Sequence, residues 1–298
     1  MPELPDIVIY VEALTARLVG QPIEAIRLLS RFILRSVSPP ISEFIGHEVK
    51  SIRRLGKRLI FEVVDAGFLV IHLMIAGRLR WLAKSKKPPG RIALAAFDFP
   101  NGTLVLTEAG TTRRASLHAV GTAAELKTFD RGGIEPLEVS EREFAERLRL
   151  ENHTLKRTLT DPRLFSGIGN SYSDEILHRA RMSPLLLSAK VTDEEASRLH
   201  RATVEVLNEW TETLRKETRE TFPEKVTAFR DGMAVHGRYG LPCPECGSAV
   251  QRIRYATNET NYCARCQTDG RLYADRGISR LLKGDWPKSL DELELDGK

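Results

Sequence analysis

Residues 243–266 read CPECGSAVQRIRYATNETNYCARC. Two Cys-x-x-Cys knuckles, Cys243/Cys246 and Cys263/Cys266, flank β-type pieces at Gln251–Tyr255 and Asn261–Tyr262. Each knuckle can set two thiolates on one tight turn, and two such turns complete a tetrahedral all-sulfur zinc site. Four sulfur ligands leave no open coordination position, so the expected Zn2+ is a single structural ion. Two disulfides, or free thiols, are the competing readings. No basic n-region precedes the first apolar stretch, so no secretory signal is expected, and reducing compartments disfavour disulfides. A zinc-held module is therefore expected over residues 236–270.

Upstream of the cysteines the pattern is helical: Glu141–Leu150, Thr154–Thr160, Ser171–Ala180, and Asp193 to about Glu220. This gives a helical domain over residues 141–235. Residues 131–140, Arg-Gly-Gly-Ile-Glu-Pro-Leu-Glu-Val-Ser, have the composition of a linker. From about 22 to 120 the texture changes to short β-type runs, among them Arg58-Leu-Ile-Phe-Glu-Val-Val, Phe68-Leu-Val-Ile-His-Leu, Ile92-Ala-Leu-Ala-Ala-Phe-Asp-Phe and Thr103-Leu-Val-Leu-Thr. Turn signals such as Asp65-Ala-Gly and Pro100-Asn-Gly-Thr separate them, which points to an antiparallel sandwich within a first domain, residues 1–130. Ahead of it Ile7, Val11, Leu14 and Leu18 recur at helical spacing, with Gly20 as the stop. Beyond the cysteines, residues 271–298 form an extension with a short helical stretch, Ile278–Lys283, and an acidic end. The fold class expected is α+β and multidomain: N-terminal helix and β-sandwich, helical domain, zinc hairpin.

The bulk numbers limit the partners. With 298 residues, 42% hydrophobic and 29% charged, the composition is that of an ordinary globular protein. No segment approaches the roughly 18 apolar residues that span a bilayer. We expect a cytoplasmic monomer, nucleoid-associated in a bacterium, with no membrane partner. The net charge of +5 is modest but clustered: Lys50, Arg53, Arg54, Lys57 and Arg58; Arg78, Arg80, Lys84, Lys86, Lys87 and Arg91; Arg113 and Arg114. Any one cluster reads as a solvated face. Several in one chain point to a polyanion such as nucleic acid.

The first residues, MPELPDIVIY, carry chemistry of their own. Pro2 follows a methionine that processing removes when the next side chain is small. The exposed group is then a secondary amine, which condenses with aldehydes to a cationic iminium. An α-amino group titrates at roughly 7.7–8.0, so a nucleophilic fraction exists at neutral pH. A helix N-terminus beside it disfavours the protonated form further. Glu3 is adjacent and placed to move protons. The structural alternative is that Pro2 and Pro5 stiffen a helix start while Glu3 and Asp6 match its dipole.

Pro-Glu-Leu-Pro-Asp at the tip, Lys57 in a basic run, His72-Leu-Met-Ile-Ala-Gly, Gly167-Ile-Gly-Asn170 opening a helix, and the cysteine module occur in that order. Together they resemble the formamidopyrimidine-DNA glycosylase / endonuclease VIII family of base-excision repair enzymes, over roughly residues 2–270. The resemblance implies a β-sandwich, a helix–two-turn–helix domain and a zinc-held β-hairpin, with damaged DNA, double-stranded or single-stranded, in a cleft. It implies a bifunctional DNA glycosylase and AP lyase. Pro2 would attack C1′, Glu3 would donate and later accept the proton, and Lys57 would contact phosphate and assist elimination. It further implies DNA contacts at His72, Lys156 and Asn170. Three have a structural alternative: His72 a core histidine, Lys57 a surface cation, Asn170 a helix N-cap; Lys156 is the weaker phosphate candidate, on the helical domain. Glu175 is either a pocket residue or charge matched to a helix dipole.

The chain also departs from the family pattern. Asp6 stands where a second glutamate is usual. Asn258 stands five residues before Cys263, where the family has an arginine linked to phosphate grip and δ-elimination; Arg252, Arg254, Arg271 and Arg276 are the candidates to compensate. Ile75 falls at the position of a gap-filling methionine, with Met74 shifted by one. Arg113 and Arg114 persist in Thr-Thr-Arg-Arg-Ala-Ser without the phenylalanine that usually follows, and Arg91 is the nearest cation to a missing histidine. Phe222–Gly237 is shorter than in members that close a loop over 8-oxoguanine, so a more open pocket suited to oxidised pyrimidines or hydantoins is expected. Two alternatives stay open: an AP lyase with little glycosylase activity, and a non-catalytic zinc-containing DNA-binding protein.

Overall fold

A computed structural model describes residues 1–84, 86–110, 112–219, 221–224, 226–227, 229–256, 258–273 and 287–292. It divides into two compact units, Met1–Arg131 with Glu209–Ala228, and Gly132–Asn208 with Phe229–Lys298.

The first unit opens with helix α1 (Leu4–Leu18). Glu3 is its N-cap, with non-helical φ −117°, and Pro5 sits in the first turn, where the missing N–H costs nothing. A capping box closes the end: the Glu3 side chain takes the Asp6 N–H, and Asp6 Oδ2 takes the Glu3 N–H at 2.8 Å. The shorter acid that departs from the family pattern thus makes the reciprocal bond usually made by glutamate. Ile7, Tyr10, Leu14 and Leu18 are fully buried, while Gly20 follows the last turn at φ +77°.

The strands β1 (Ala25–Leu28), β2 (Val49–Leu55), β3 (Arg58–Val63), β4 (Gly67–His72), β5 (Gly77–Leu82), β6 (Ala93–Phe99), β7 (Gly102–Glu108) and β8 (Ser116–Val120) form two four-stranded antiparallel sheets. Their orders are β2-β3-β4-β8 and β1-β6-β7-β5. Phe61, Leu69 and Ile71 from the first sheet meet Phe97, Phe99 and Leu104 from the second in one core, joined by the apolar stripe of α1. On the outer face of β3, between Arg58 and Glu62, Ile60 points away from that core and is covered by Leu126 of α2 (Ala123–Leu126) and by Phe129.

The second unit contains α3 (Glu141–Leu148), α4 (Leu155–Thr160), α5 (Asn170–Arg179) and most of α6 (Asp193–Glu217), whose last residues belong to the first unit. Ser140 and Glu143 form a reciprocal capping box on α3. Between α4 and α5 the chain makes two successive turns, with Leu164 and Phe165 N–H bonded to Asp161 O and Gly167 at φ +80°. Ile134, within the stretch of linker composition, is pinned there: its N–H donates to Leu164 O, and its carbonyl accepts from Ser166. The cysteine module follows as the antiparallel hairpin β9 (Gln251–Arg254) and β10 (Glu259–Tyr262), then α7 (Ala264–Gln267). The expected helix at Ile278–Lys283, and Arg276, lie outside the described residues. Among the described residues no helix is long and apolar enough to cross a membrane.

The β3–β4 turn supplies a stability test. Gly67 has φ +104°, and a Cβ there would stand 2.3 Å from Val120 O, whereas Gly46, at φ +87°, has open space. Gly67→Ala should cost roughly 2–4 kcal/mol, from backbone strain plus the clash. Gly46→Ala should cost only about 1 kcal/mol. Urea unfolding midpoints measure both, and equal shifts would contradict the clash.

Candidate functional site

In the first unit Pro2, Glu3 and Asp6 lie buried at the start of α1, and half-buried Met1 ahead of them carries the terminal amine. Burial pushes the terminal amine below its ordinary value of 8.0; Glu3 and Asp6 oppose the shift, and Arg78 and Lys57 add to it. Lys57 occupies the two-residue turn between β2 and β3, made possible by Gly56 at φ +59°. Arg78, in β5, reaches the same amine electrostatically, and its Nε donates to Val226 O. The amine is thus partly desolvated between two cations and two carboxylates.

His72 ends β4, paired in register with Arg58 and Ser116. Burial, with Arg58, Lys57 and His118 acting in the same direction, lowers its pKa to about 4. At neutral pH it is therefore an uncharged N–H donor. The next turn carries Met74 at φ +53° and leaves the Ile75 side chain 55% exposed.

Arg91 and Arg113 are brought together: Arg113 Nη2 donates to Arg91 O, and both line an open groove with Arg27 and Lys87. Arg114 is rooted differently. Buried Glu108, at the end of β7, accepts the N–H groups of Arg114 and Ala115 through Oε2 at 2.8 and 3.0 Å.

The second unit places Lys156 and Asn170 side by side. Lys156 is 8% exposed; its ammonium donates to Asn170 O at 2.6 Å and pairs with Asp174 at 2.5 Å. Asn170 is the first helical residue of α5, and Gly169 is the cap. Asn170 Nδ2 instead donates to Glu259 O in β10, while its Oδ1 is buried without a hydrogen-bond partner. Asp174 also accepts from His236 Nδ1 at 2.7 Å. Its neighbour Glu175 accepts the N–H groups of Ala234, Val235 and His236 at 2.7–3.0 Å. Burial pushes the Glu175 carboxyl up against the pull of those bonds. It acts as a backbone clamp, a role outside both sequence readings. Of the loop Phe222–Gly237, Lys225 and Ala228 lie outside the described residues. Phe229 stacks on His236 at 5.6 Å and 15°, over Gly237, where a Cβ would meet the ring at 2.6 Å.

Asn258 is exposed in the β9–β10 turn, its carbonyl accepting from Tyr255 N–H. Arg252, on the same hairpin, lies 4.0 Å over the Tyr239 ring. The four cysteines converge, with every Sγ within 4.8 Å of the others. Zinc–sulfur bonds of about 2.3 Å in a tetrahedron require sulfur separations near 3.8 Å; Cys246–Cys263 is 3.4 Å and Cys243–Cys266 is 4.0 Å. The residues fit one structural Zn2+.

Sequence reasoning missed the clamps: Glu108, Asp174 with His236, and Glu175 as a backbone acceptor. Acidic pairs near a helix start look like dipole matching, and nothing local marks them as buried.

Two outcomes follow from this geometry. A strong chelator should release one zinc per chain and remove hydrogen-exchange protection from residues 251–262 while leaving the sandwich protected; an unchanged hairpin would contradict the metal reading. The lowered pKa of His72 means its stabilising contribution is present above about 6.5 and is lost as pH falls through about 4. Over that window the wild-type urea midpoint should fall more steeply than that of His72→Gln.

Family models agree with this order of parts. The Formamidopyrimidine-DNA glycosylase N-terminal domain matches residues 1–114, the Formamidopyrimidine-DNA glycosylase H2TH domain residues 133–221, and the zinc finger found in FPG and IleRS residues 240–268. The chain is 32% identical over 276 residues to a formamidopyrimidine-DNA glycosylase of Pelotomaculum thermopropionicum, covering 90% of this chain and 99% of that protein. The identity is 33% to that of Thermus thermophilus, covering 91% and 100%. Among solved structures, a complex of a Lactococcus lactis FPG variant with Fapy-dG-containing DNA superposes with a TM-score of 0.79 at 27% identity, covering 90% of this chain and 100% of that one. Relatives matched along nearly their whole length, and three domains in the same order, make this chain a member of the formamidopyrimidine-DNA glycosylase family.

Proposed function

We propose that the protein excises oxidised bases from DNA and nicks the strand at the resulting abasic site. The observation that carries this reading is Pro2, buried directly before the Glu3 carboxylate that caps α1. Removal of Met1 would expose the secondary amine of Pro2 at that position, beside Glu3. Its nitrogen attacks C1′ as the glycosidic bond breaks, and Glu3 delivers the proton the departing base needs. The C1′–O4′ bond then breaks as the amine's proton passes to O4′, and the opened sugar is left with an iminium between that nitrogen and C1′. This electron sink makes the 2′ proton removable; Glu3 takes a proton back, and loss of the 3′ phosphate nicks the strand.

The remaining residues serve the DNA. Lys57 and Arg78 supply positive charge beside the amine, and Lys57 contacts phosphate during elimination. His72 donates to phosphate as a neutral imidazole. Arg91, Arg113 and Arg114 meet the duplex, and exposed Ile75 fills the gap left by the flipped base. Lys156 acts through Asn170 and Asp174, and Asn170 offers phosphate the start of α5. Asn258 meets phosphate as a neutral donor from the hairpin turn. Such chemistry needs access to DNA, so a cytoplasmic, nucleoid-associated location belongs to the proposal.

Borohydride trapping on abasic DNA tests the reading. A covalent adduct is expected with the wild type and is lost in Pro2→Gly. Glu3→Gln should slow base release by roughly 10²–10⁴-fold, the range for a general acid–base group. No adduct with the wild type would leave a DNA-binding protein without this chemistry. On a lesion panel, thymine glycol or hydantoins should be released faster than 8-oxoguanine opposite cytosine; the reverse order would overturn the open-pocket expectation.

A further inference from the structure

The zinc-finger match ends at residue 268, yet the described chain continues. Gly270–Tyr273 runs out from α7, and residues 287–292 return to pair with it. Leu272 N–H donates to Lys288 O at 2.8 Å, Leu290 N–H donates to Gly270 O at 2.9 Å, and Arg271 and Ser289 form an antiparallel bridge. The returning segment closes on itself, with Lys288 N–H on Glu292 Oε2.

This strap covers one side of the hairpin. Leu272 and Leu290, 7% and 6% exposed, pack with Ile253 of β9, Tyr262 of β10 and Ala264. Tyr273 N–H donates to Tyr262 Oη at 2.8 Å, the two rings lie 5.7 Å apart, and Tyr273 Oη is 3.1 Å from Ser183 Oγ beyond α5. The strap therefore ties both strands to the helical part of its own unit. A lone two-stranded ribbon is marginal in water. The cysteines fix the root of this one, but its far turn, with Asn258, stands beyond them.

We infer that residues 271–273 and 287–292 position the β9–β10 hairpin for DNA, with Leu290 as the positioning residue that locks it. This rests on the reading that the hairpin turn meets DNA. A turn bearing neutral Asn258 gains less Coulomb attraction than one bearing arginine, so more of its affinity must come from being ordered before DNA arrives.

The test uses the full chain and four variants: Leu290→Ala, Leu290→Met, Tyr273→Phe and Asn258→Glu. The readouts are zinc content, hydrogen exchange over residues 251–262, Kd for a duplex carrying a tetrahydrofuran abasic analogue, and trapping rate at saturating DNA. Leu290→Ala should keep its zinc and its saturating rate, exchange faster in the hairpin, and bind about tenfold more weakly. Leu290→Met should behave as wild type, and Tyr273→Phe should fall between. Wild-type exchange or affinity in Leu290→Ala overturns the proposal, as does loss of zinc with the affinity, which would make the strap a support of the metal module alone. If Asn258→Glu also leaves Kd unchanged, the hairpin does not meet DNA and both readings fail. If Asn258→Glu weakens binding while Leu290→Ala does not, only the strap fails.

Discussion

Two adjacent buried carboxylates on α5 hold the second unit together. Asp174 and Glu175, 1% and 5% exposed, would be costly without partners. Asp174 has Lys156 and His236; Glu175 has three consecutive backbone N–H groups. Removing one member of such a buried pair typically costs about 3–5 kcal/mol, because the other charge stays behind unpaired. Through these bonds α5 fixes α4, the approach to the cysteine module and, by way of Asn170, strand β10. The elements that would touch DNA are thus set by charge satisfied in the interior rather than by apolar packing alone.

In the first unit the equivalent constraint is the start of α1. The capping box fixes the Glu3 backbone, and the buried face of the helix fixes the box. Preorganisation matters here because burial and flanking cations depress an amine pKa only where the amine stays put. The sandwich brings in Lys57 and Arg78 from hairpin and strand positions distant in sequence.

Much of this was readable beforehand. Apolar spacing located α1, the four main helices and several strands, because their buried faces repeat at the period of the element. The cysteine spacing located the metal module, since tetrahedral sulfur geometry tolerates few alternatives. What stayed hidden was polar and tertiary. Asp174-Glu175 has the local appearance of exposed helix-start charge, and only the return of residues 234–236 buries it. Arg78 stood out no more than its basic neighbours, and only the pairing of β5 with β7 carries it toward the tip. Lys156 was read as a phosphate candidate, and its local sequence did not show that its partners, Asn170 O and Asp174, lie on the following helix. Leu290 was not singled out, because the partners that bury it, Ile253 and Tyr262, lie far back in the chain on the hairpin.

The Glu108 clamp has a consequence for how such a protein can diverge. Its carboxylate grips the main chain of residues 114 and 115, not their side chains. The root of that loop is therefore indifferent to which residues it displays, and a missing phenylalanine need not disturb its path. The hairpin turn, closed by a main-chain bond from Tyr255 to Asn258, has the same property. Where backbone anchors hold the shape, contact residues can be exchanged one at a time, and lesion preference can drift by single substitutions without passing through an unfolded ancestor.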